Sequence, residues 1–219
     1  MTALTGLTVG VLGGTGPQGR GLSLRWARAG LKVVIGSRSA DRAATAAAEL
    51  ASAGDVTGAD NSSCAAVADV VVVAVPWEAH ADTLRPLRDA LAGKVVVDCV
   101  NPLGFDKQGP YVLSVDEGSA AQQAAALLPS SKVAAAFHHV SAVLLADPEV
   151  TDVDTDVLVL GDDREVTDLV RALADAIPGV RGIYGGRLRN AGQVEGFTAN
   201  LIAINRRYKA HAGIRVTDV

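Results

Sequence analysis

The stretch Val9–Gly21, VGVLGGTGPQGRG, decides the fold. A short apolar run over Leu7–Leu12 gives way to glycines, and an amphipathic segment opens directly behind them. Within it Gly14-Thr15-Gly16-Pro17-Gln18-Gly19 has the spacing G-x-G-x-x-G. That pattern carries meaning when it follows a strand and starts a helix, as it does here. The first glycine permits a tight turn, the second lets backbone approach a pyrophosphate, and the third lets helix and strand pack closely. The helix start then turns N–H groups and the positive end of its dipole toward the phosphates. Pro17 has no N–H to donate and suits the first helical position, where that donor is spare. A phosphate loop of the Walker type is excluded, because Arg20-Gly21 follows Gly19 in place of Lys and a hydroxyl residue.

The next apolar run, VVIGSR at Val33–Arg38, selects the nucleotide. A carboxylate at the end of this strand would accept hydrogen bonds from an unmodified adenosine ribose. Ser37 and Arg38 stand there instead, with Arg42 one helical turn on and Thr15 within reach in the glycine loop. A hydroxyl and two guanidiniums suit a 2′-phosphate through charge-assisted hydrogen bonds, so NADP(H) is favoured over NAD(H).

Outward from this point, strands and helices alternate. Apolar runs at 70–75 and 94–100 do not alternate with polar residues, which marks strands buried on both faces of a parallel sheet. Helices are expected over Ala40–Gly54, from Asn61 (with Asn61, Ser62 and Ser63 as cap candidates), and over Glu78–Leu91. Residues 104–118 read as an irregular loop, followed by a helix from Ser119, strands at 132–137 and 155–161, a helix over Arg164–Ile177 and a long last helix over 190–213. The expected fold is α/β, a Rossmann-type doubly wound parallel sheet with a small C-terminal extension. Residues 1–150 form the NADP-binding unit and 151–219 the extension.

Composition narrows the classes. Hydrophobic residues make up 49% and charged ones 20%, which supports a sizeable core and argues against disorder. A net charge of −4 without a long basic run lacks the electrostatic footprint of a nucleic-acid binder. Two cysteines, Cys64 and Cys99, support neither a disulfide framework nor a zinc cluster, and no metal site is expected. The N-terminus lacks the pattern of a signal peptide, and no apolar run reaches the ~20 residues of a membrane span. A cytoplasmic location is expected.

In a doubly wound sheet, ligands lie beyond the carboxyl ends of the strands. Those ends are Val75-Pro76-Trp77, Asn101-Pro102-Leu103 and Phe137-His138-His139-Val140. None supplies an obvious acid/base pair. A histidine shuttle and a merely hydrogen-bonding histidine are equally open for His138 and His139. Apolar walls without an acid or base suit direct hydride transfer between two rings, with the cofactors carrying the chemistry and no side chain acting as a catalytic group.

Taken together, GGTGPQGRGL, VVIGSR, VPWE…DTL, KVVVDCVNPL, GSAAQ, KVAAAFHHVSA, GDD and GGRLRNAGQVEGFT, in this order, resemble the F420-dependent NADP oxidoreductases over nearly the whole chain. The resemblance implies reversible hydride transfer between the deazaflavin ring carbon of F420 and C4 of the NADP nicotinamide. It implies that Thr15, Ser37, Arg38 and Arg42 hold the 2′-phosphate. The Trp77 region, Asn101 to Leu103 and Val140 to Ala142 would surround the nicotinamide end, with Val75, Pro76, Ala79 and His138 also among the cofactor-binding positions. F420 would lie over it, covered by the Arg187–Gln193 loop and the last helix, with Ala212 among the binding positions. A homodimer through the apolar final helix is also implied. The chain departs from the family pattern at Ala79, where histidine is frequent and here follows as His80, and at Ser141, where proline is usual. Two rival readings are another NADP-linked reductase, disfavoured by the short stretch after Gly161, and an NADP(H)-binding redox sensor without turnover.

Overall fold

In the computed structural model, residues 4–219 are described. Residues 1–3, part of the expected first unit and of the N-terminal segment read for a leader, lie outside the described residues. The first half is a regular alternation: β1 (Thr8–Leu12), α1 (Pro17–Arg28), β2 (Lys32–Ser37), α2 (Ala40–Leu50), β3 (Val56–Asp60), α3 (Asn61–Val67), β4 (Val70–Val73), α4 (His80–Leu84) and β5 (Val95–Asp98). A hairpin follows, β6 (Leu103–Asp106) and β7 (Gly109–Val112), then α5 (Ala120–Leu127), β8 (Lys132–Ala135) and α6 (Ala142–Ala146). The chain ends with β9 (Thr155–Gly161), α7 (Arg164–Asp175), β10 (Val180–Gly186) and α8 (Ala191–Tyr208).

Eight strands form one sheet in the order β10-β9-β8-β5-β4-β1-β2-β3. The order reverses between β1 and β4, which is where a doubly wound sheet opens its binding crevice. All neighbours are parallel except β8 and β9, which pair antiparallel through Ala134↔Gly161 and Ala135↔Leu160. The sheet therefore runs without a break across residue 150. Strand β4 shows how the sequence divides the core. Val70 and Val72 face one apolar layer with Trp26 and Phe137, while Val71 and Val73 face the other with Leu84 and Leu128. Each of these fully buried valines contributes about 1.5–3 kcal/mol relative to exposure.

Four expectations need correction. The segment 104–118 is not wholly irregular: Asp106 Oδ1 accepts from the N–H groups of Gln108 (2.7 Å) and Gly109 (3.1 Å) and closes a hairpin, with Gly109 at φ +125°. The helix expected over Glu78–Leu91 breaks into a short turn, α4 and a second turn at Arg85–Leu87, because Pro86 cannot continue a helical ladder. The cap of α3 is Asp60, whose Oδ1 accepts from Ser62 N and Ser63 N at 2.9 and 3.0 Å, one residue ahead of the candidates. The last helix stops at Tyr208, where Lys209 turns left-handed at φ +53°, and the tail folds back onto β9 through Asp156 N to Ile214 O at 2.8 Å. Strand β10 and the five-residue α6 were not expected at all.

Candidate cofactor site

The glycine loop divides into residues the fold requires and one it does not. Gly13 turns the chain at φ +77°, and a Cβ there would lie 2.5 Å from Ala74 O. A Cβ on Gly14 would meet Ile35 Cγ2 and Val11 O at 2.9 Å, and one on Gly19 would meet Gly13 O and Gly14 Cα at 2.7 Å. Gly16 is different: its Cβ position has a single neighbour within 4 Å, Gly13 O at 3.4 Å. The chain's own packing does not account for the missing side chain at Gly16, so the space beside it is a cradle for something outside the chain.

Gly16 is also the cap residue of α1 and has no side chain to accept from the first turn. By contrast α2, α3, α5, α6 and α7 are capped by the side chains of Ser39, Asp60, Ser119, Ser141 and Asp163. The donors at the start of α1 meet no side-chain acceptor, as also at the starts of α4 and α8, and a helix start of this kind suits an anion such as a pyrophosphate. Ser141, the departure from the usual proline, thus has a local reason: its hydroxyl accepts from Leu144 N at 3.5 Å and starts α6. Thr15, Pro17 and Gln18 complete the loop, and Gln18 Nε2 donates across the crevice to Phe137 O at 3.1 Å.

At the end of β2, Ser37 is buried while Arg38 and Arg42 are exposed. Among the described residues neither guanidinium takes part in an ion pair. A cavity of about 500 Å³ opens beside Arg38, lined by Ser37, Arg38, Asn61 and Ala79 and also by the acidic residues Asp60, Glu78 and Asp82. Its size and place suit an adenosine. Ala79 is among the residues that line this cavity.

The other end is built from three strand ends. Val75 abuts Gly13, and Trp77 stands half-buried just beyond Pro76. Asn101 Nδ2 donates to His138 O at 2.9 Å, and Thr198 Oγ1 of α8 donates to the same carbonyl at 3.2 Å. Pro102 and Leu103 are buried behind Asn101. His138 is 4% exposed, and neither of its ring nitrogens has a partner among the described residues. Burial pushes its pKa down to about 4, so the ring is neutral at pH 7. A neutral, buried ring with both nitrogens unpartnered leaves His138 with unused hydrogen-bonding capacity. His139 is neutral for the same reason, its Nε2 accepting from Leu158 N of β9 at 3.4 Å.

Val140 is buried beyond His138, and Ala142 opens α6. Ser141 Oγ lies 3.5 Å from His211 Nδ1, and Asn205 Oδ1 accepts from Ala212 N at 2.6 Å, so the tail carrying Ala212 reaches this end of the site. Arg187 does not. It pairs with Asp162 just past β9, whose antiparallel register puts that end beside the start of β8, away from Asn101.

Sequence reasoning passed over a buried polar cluster beneath this region. His80 Nε2 contacts Asp98 Oδ2 at 2.7 Å, Nδ1 contacts Gln123 Oε1 at 2.9 Å, and the Trp77 ring stacks on the imidazole with centroids 5.6 Å apart. Glu195 of α8 is 2% exposed and accepts from the N–H groups of Ala120 and Ala121 at 2.9 and 3.1 Å. Burial pushes its carboxyl up to about 7 against the pull of those two donors. The one available signal was His80 itself, following Trp77 by three.

Comparison with known proteins gives the family. Residues 8–102 match the family model described as NADP oxidoreductase, coenzyme F420-dependent. A protein named F420-dependent NADP reductase from Methanothermobacter thermautotrophicus is 43% identical over 97% of this chain and 96% of its own. The chain belongs to the F420-dependent NADP reductase family. A namesake from Methanocaldococcus jannaschii is 37% identical over 97% of this chain and 99% of its own. A crystal structure from an Arthrobacter species, assigned as an F420-dependent NADP reductase, superposes with a TM-score of 0.81 at 26% identity, covering 97% of this chain and all of that one. Membership makes the chain an oxidoreductase of NADP(H) and F420. The rival reading as a sensor without turnover has no support here. Among the described residues no helix is long and apolar enough to cross a membrane, and no group of three metal-ligating side chains occurs.

Proposed function

We propose that this F420-dependent NADP reductase binds NADP(H) along the crevice between β1 and β4 and passes a hydride directly between the nicotinamide and the deazaflavin. The observation that carries the site assignment is Gly16. Its missing side chain is unexplained by packing, and it caps the start of α1, directly after the loop that leaves β1. Pyrophosphate rests on the start of α1, the 2′-phosphate on Thr15, Ser37, Arg38 and Arg42, and adenosine in the adjoining cavity. The nicotinamide lies against Trp77, Asn101, Val140 and Ala142, with His138 offering a ring nitrogen.

In the forward direction C4 of NADPH gives up a hydride to the deazaflavin ring carbon, and one solvent proton completes the reduced ring. The chain's residues hold the two rings at contact distance and keep water out. No side chain acts as the catalytic acid or base.

Residues 151–219 supply the far wall of the F420 site through Thr198, Ala212 and the tail. They also supply part of a homodimer interface. Phe105, Tyr111 and Val112 of the hairpin and Phe197, Ile204 and Tyr208 of α8 are exposed apolar side chains, and α8 packs on β7. A second copy of the chain is the partner that this shared face suits. The enzyme works in the cytoplasm on small coenzymes, without nucleic-acid or membrane partners.

The deciding experiment mixes the enzyme with F420 and NADPH and follows the deazaflavin absorbance. Bleaching that matches NADPH consumed mole for mole is expected. Tight NADPH binding without bleaching would overturn the assignment.

A further inference from the structure

The buried cluster beside Trp77 has a charge state that geometry fixes. Gln123 Nε2 donates to Glu117 Oε2 at 3.2 Å, so the amide oxygen is the atom turned toward His80 Nδ1. Asp98 Oδ2 faces Nε2. Both ring nitrogens therefore meet acceptors, and the ring that satisfies both is an imidazolium. The His80 and Asp98 side chains are wholly buried. A buried pair of this kind is weak evidence for stability, because desolvation opposes the attraction, and its retention calls for another reason.

The contacts supply one. Asp98 Oδ1 accepts from Val100 N at 3.0 Å, immediately before Asn101. Its Oδ2 holds His80, on whose face Trp77 stacks at an interplanar angle of 29°. One carboxylate thus ties the loop after β4 to the loop after β5, the two loops that wall the nicotinamide end. The cation beneath the indole adds an attraction to its π face, within the ~6 Å over which such contacts act.

We propose that the His80–Asp98 pair is a positioning element for hydride transfer, fixing the Trp77 ring and the Val100–Asn101 backbone relative to each other. This rests on the site assignment above. His80 and Asp98 touch neither ring; they act through Trp77 and Asn101. The groups facing His80 are Asp98 from β5, Gln123 of α5 backed by Glu117, and Glu195 from α8, with Glu78 and Asp82 on its own segment. Burial pulls the imidazolium pKa down, but the Asp98 and Gln123 contacts and the nearby carboxylates more than offset it and leave it raised. The pair therefore persists below and through the ordinary histidine range and is lost on the alkaline side.

The test uses the full chain and the double variant His80→Gln/Asp98→Asn, in which two amides replace two charges, with His80→Gln as companion. Tryptophan emission, taken as the difference from Trp77→Phe to remove the contribution of Trp26, should rise with pH as the quenching imidazolium loses its proton. The rise should be absent from both His80 variants. Hydride transfer from NADPH to F420 should slow roughly tenfold, within the hundredfold that a misplacement of about 1 Å costs. NADPH affinity should stay within about twofold, the kcat-against-KM split of a lost transition-state arrangement. Either folded variant keeping the wild-type rate overturns the proposal, as does a wild-type emission without the pH step. Should the wild type fail to reduce F420, the functional reading falls alone, and the emission of bound NADPH then decides. An emission changed in the variants sustains the positioning role; an unchanged one overturns it.

Discussion

Gln18 Nε2, in the first turn of α1, donates to the carbonyl of Phe137, a buried residue at φ +66°. A left-handed phenylalanine is strained, and it is held here by this hydrogen bond and by the edge of its ring against Trp26, centroids 5.5 Å apart. The next residue is His138. The first turn of α1 thus also sets the strand end that carries His138. Gln18→Ala should cost about 0.5–1.5 kcal/mol of stability, one net hydrogen bond. It should slow hydride transfer more than it weakens NADPH binding, as read by stopped-flow and equilibrium titration.

Among the described residues Arg38 and Arg42 take part in no ion pair, which leaves both free for the proposed 2′-phosphate. Replacing each by Ala should cost about 1.5–3 kcal/mol of NADPH binding per charge-assisted contact and little of NADH binding. Calorimetric titration with both nucleotides checks this. Equal losses would place the phosphate elsewhere.

Gly16 and Gly19 separate ligand contact from fold. Gly19→Ala forces a methyl to 2.7 Å from Gly13 O and should destabilise the protein by about 1–3 kcal/mol. Gly16→Ala should cost under about 1 kcal/mol in stability, a cap effect, yet weaken NADPH at least tenfold, about 1.4 kcal/mol. Melting temperature and affinity measured on both variants must split in this way.

His138 and His139 give stability a defined acid slope. Both are neutral when folded, with pKa values depressed by burial to about 4. Between about 6.5 and 4 the unfolded chain binds more protons than the folded one, so stability is full above 6.5 and falls as pH drops. Glu195 works the other way. Its carboxyl, raised to about 7, makes the folded state bind the extra proton between about 4.5 and 7, which favours folding as pH falls. Glu195→Gln removes that opposing slope, so the variant should lose stability faster than wild type between pH 7 and 4.5 in urea titrations. An identical slope in both would mean that Glu195 is ionised throughout.

The nucleotide half was legible because its causes are local. Gly14, Gly16 and Gly19 are neighbours in sequence, and runs such as Val70–Val73 can only be buried strands. The hairpin was hidden because Phe105, Tyr111 and Val112 stay exposed, which leaves no one-sided pattern to read. Strand β10 is an edge with glycine at Gly182, Gly185 and Gly186, and α6 is too short for helical periodicity. The His80 cluster was illegible for another reason: its partners Asp98, Gln123 and Glu195 come from three separate elements, and only packing brings them together.

The antiparallel step from β8 to β9 has a consequence for how the enzyme is made. Because the chain reverses there, α8 climbs back to the nicotinamide end and Thr198 reaches Asn101 at 3.5 Å across 97 residues of sequence. In the order of synthesis the glycine loop and the end of β2 come early, and Thr198, which closes on Asn101 and His138, comes late. A chain that has not yet made α8 leaves the His138 carbonyl without its Thr198 donor.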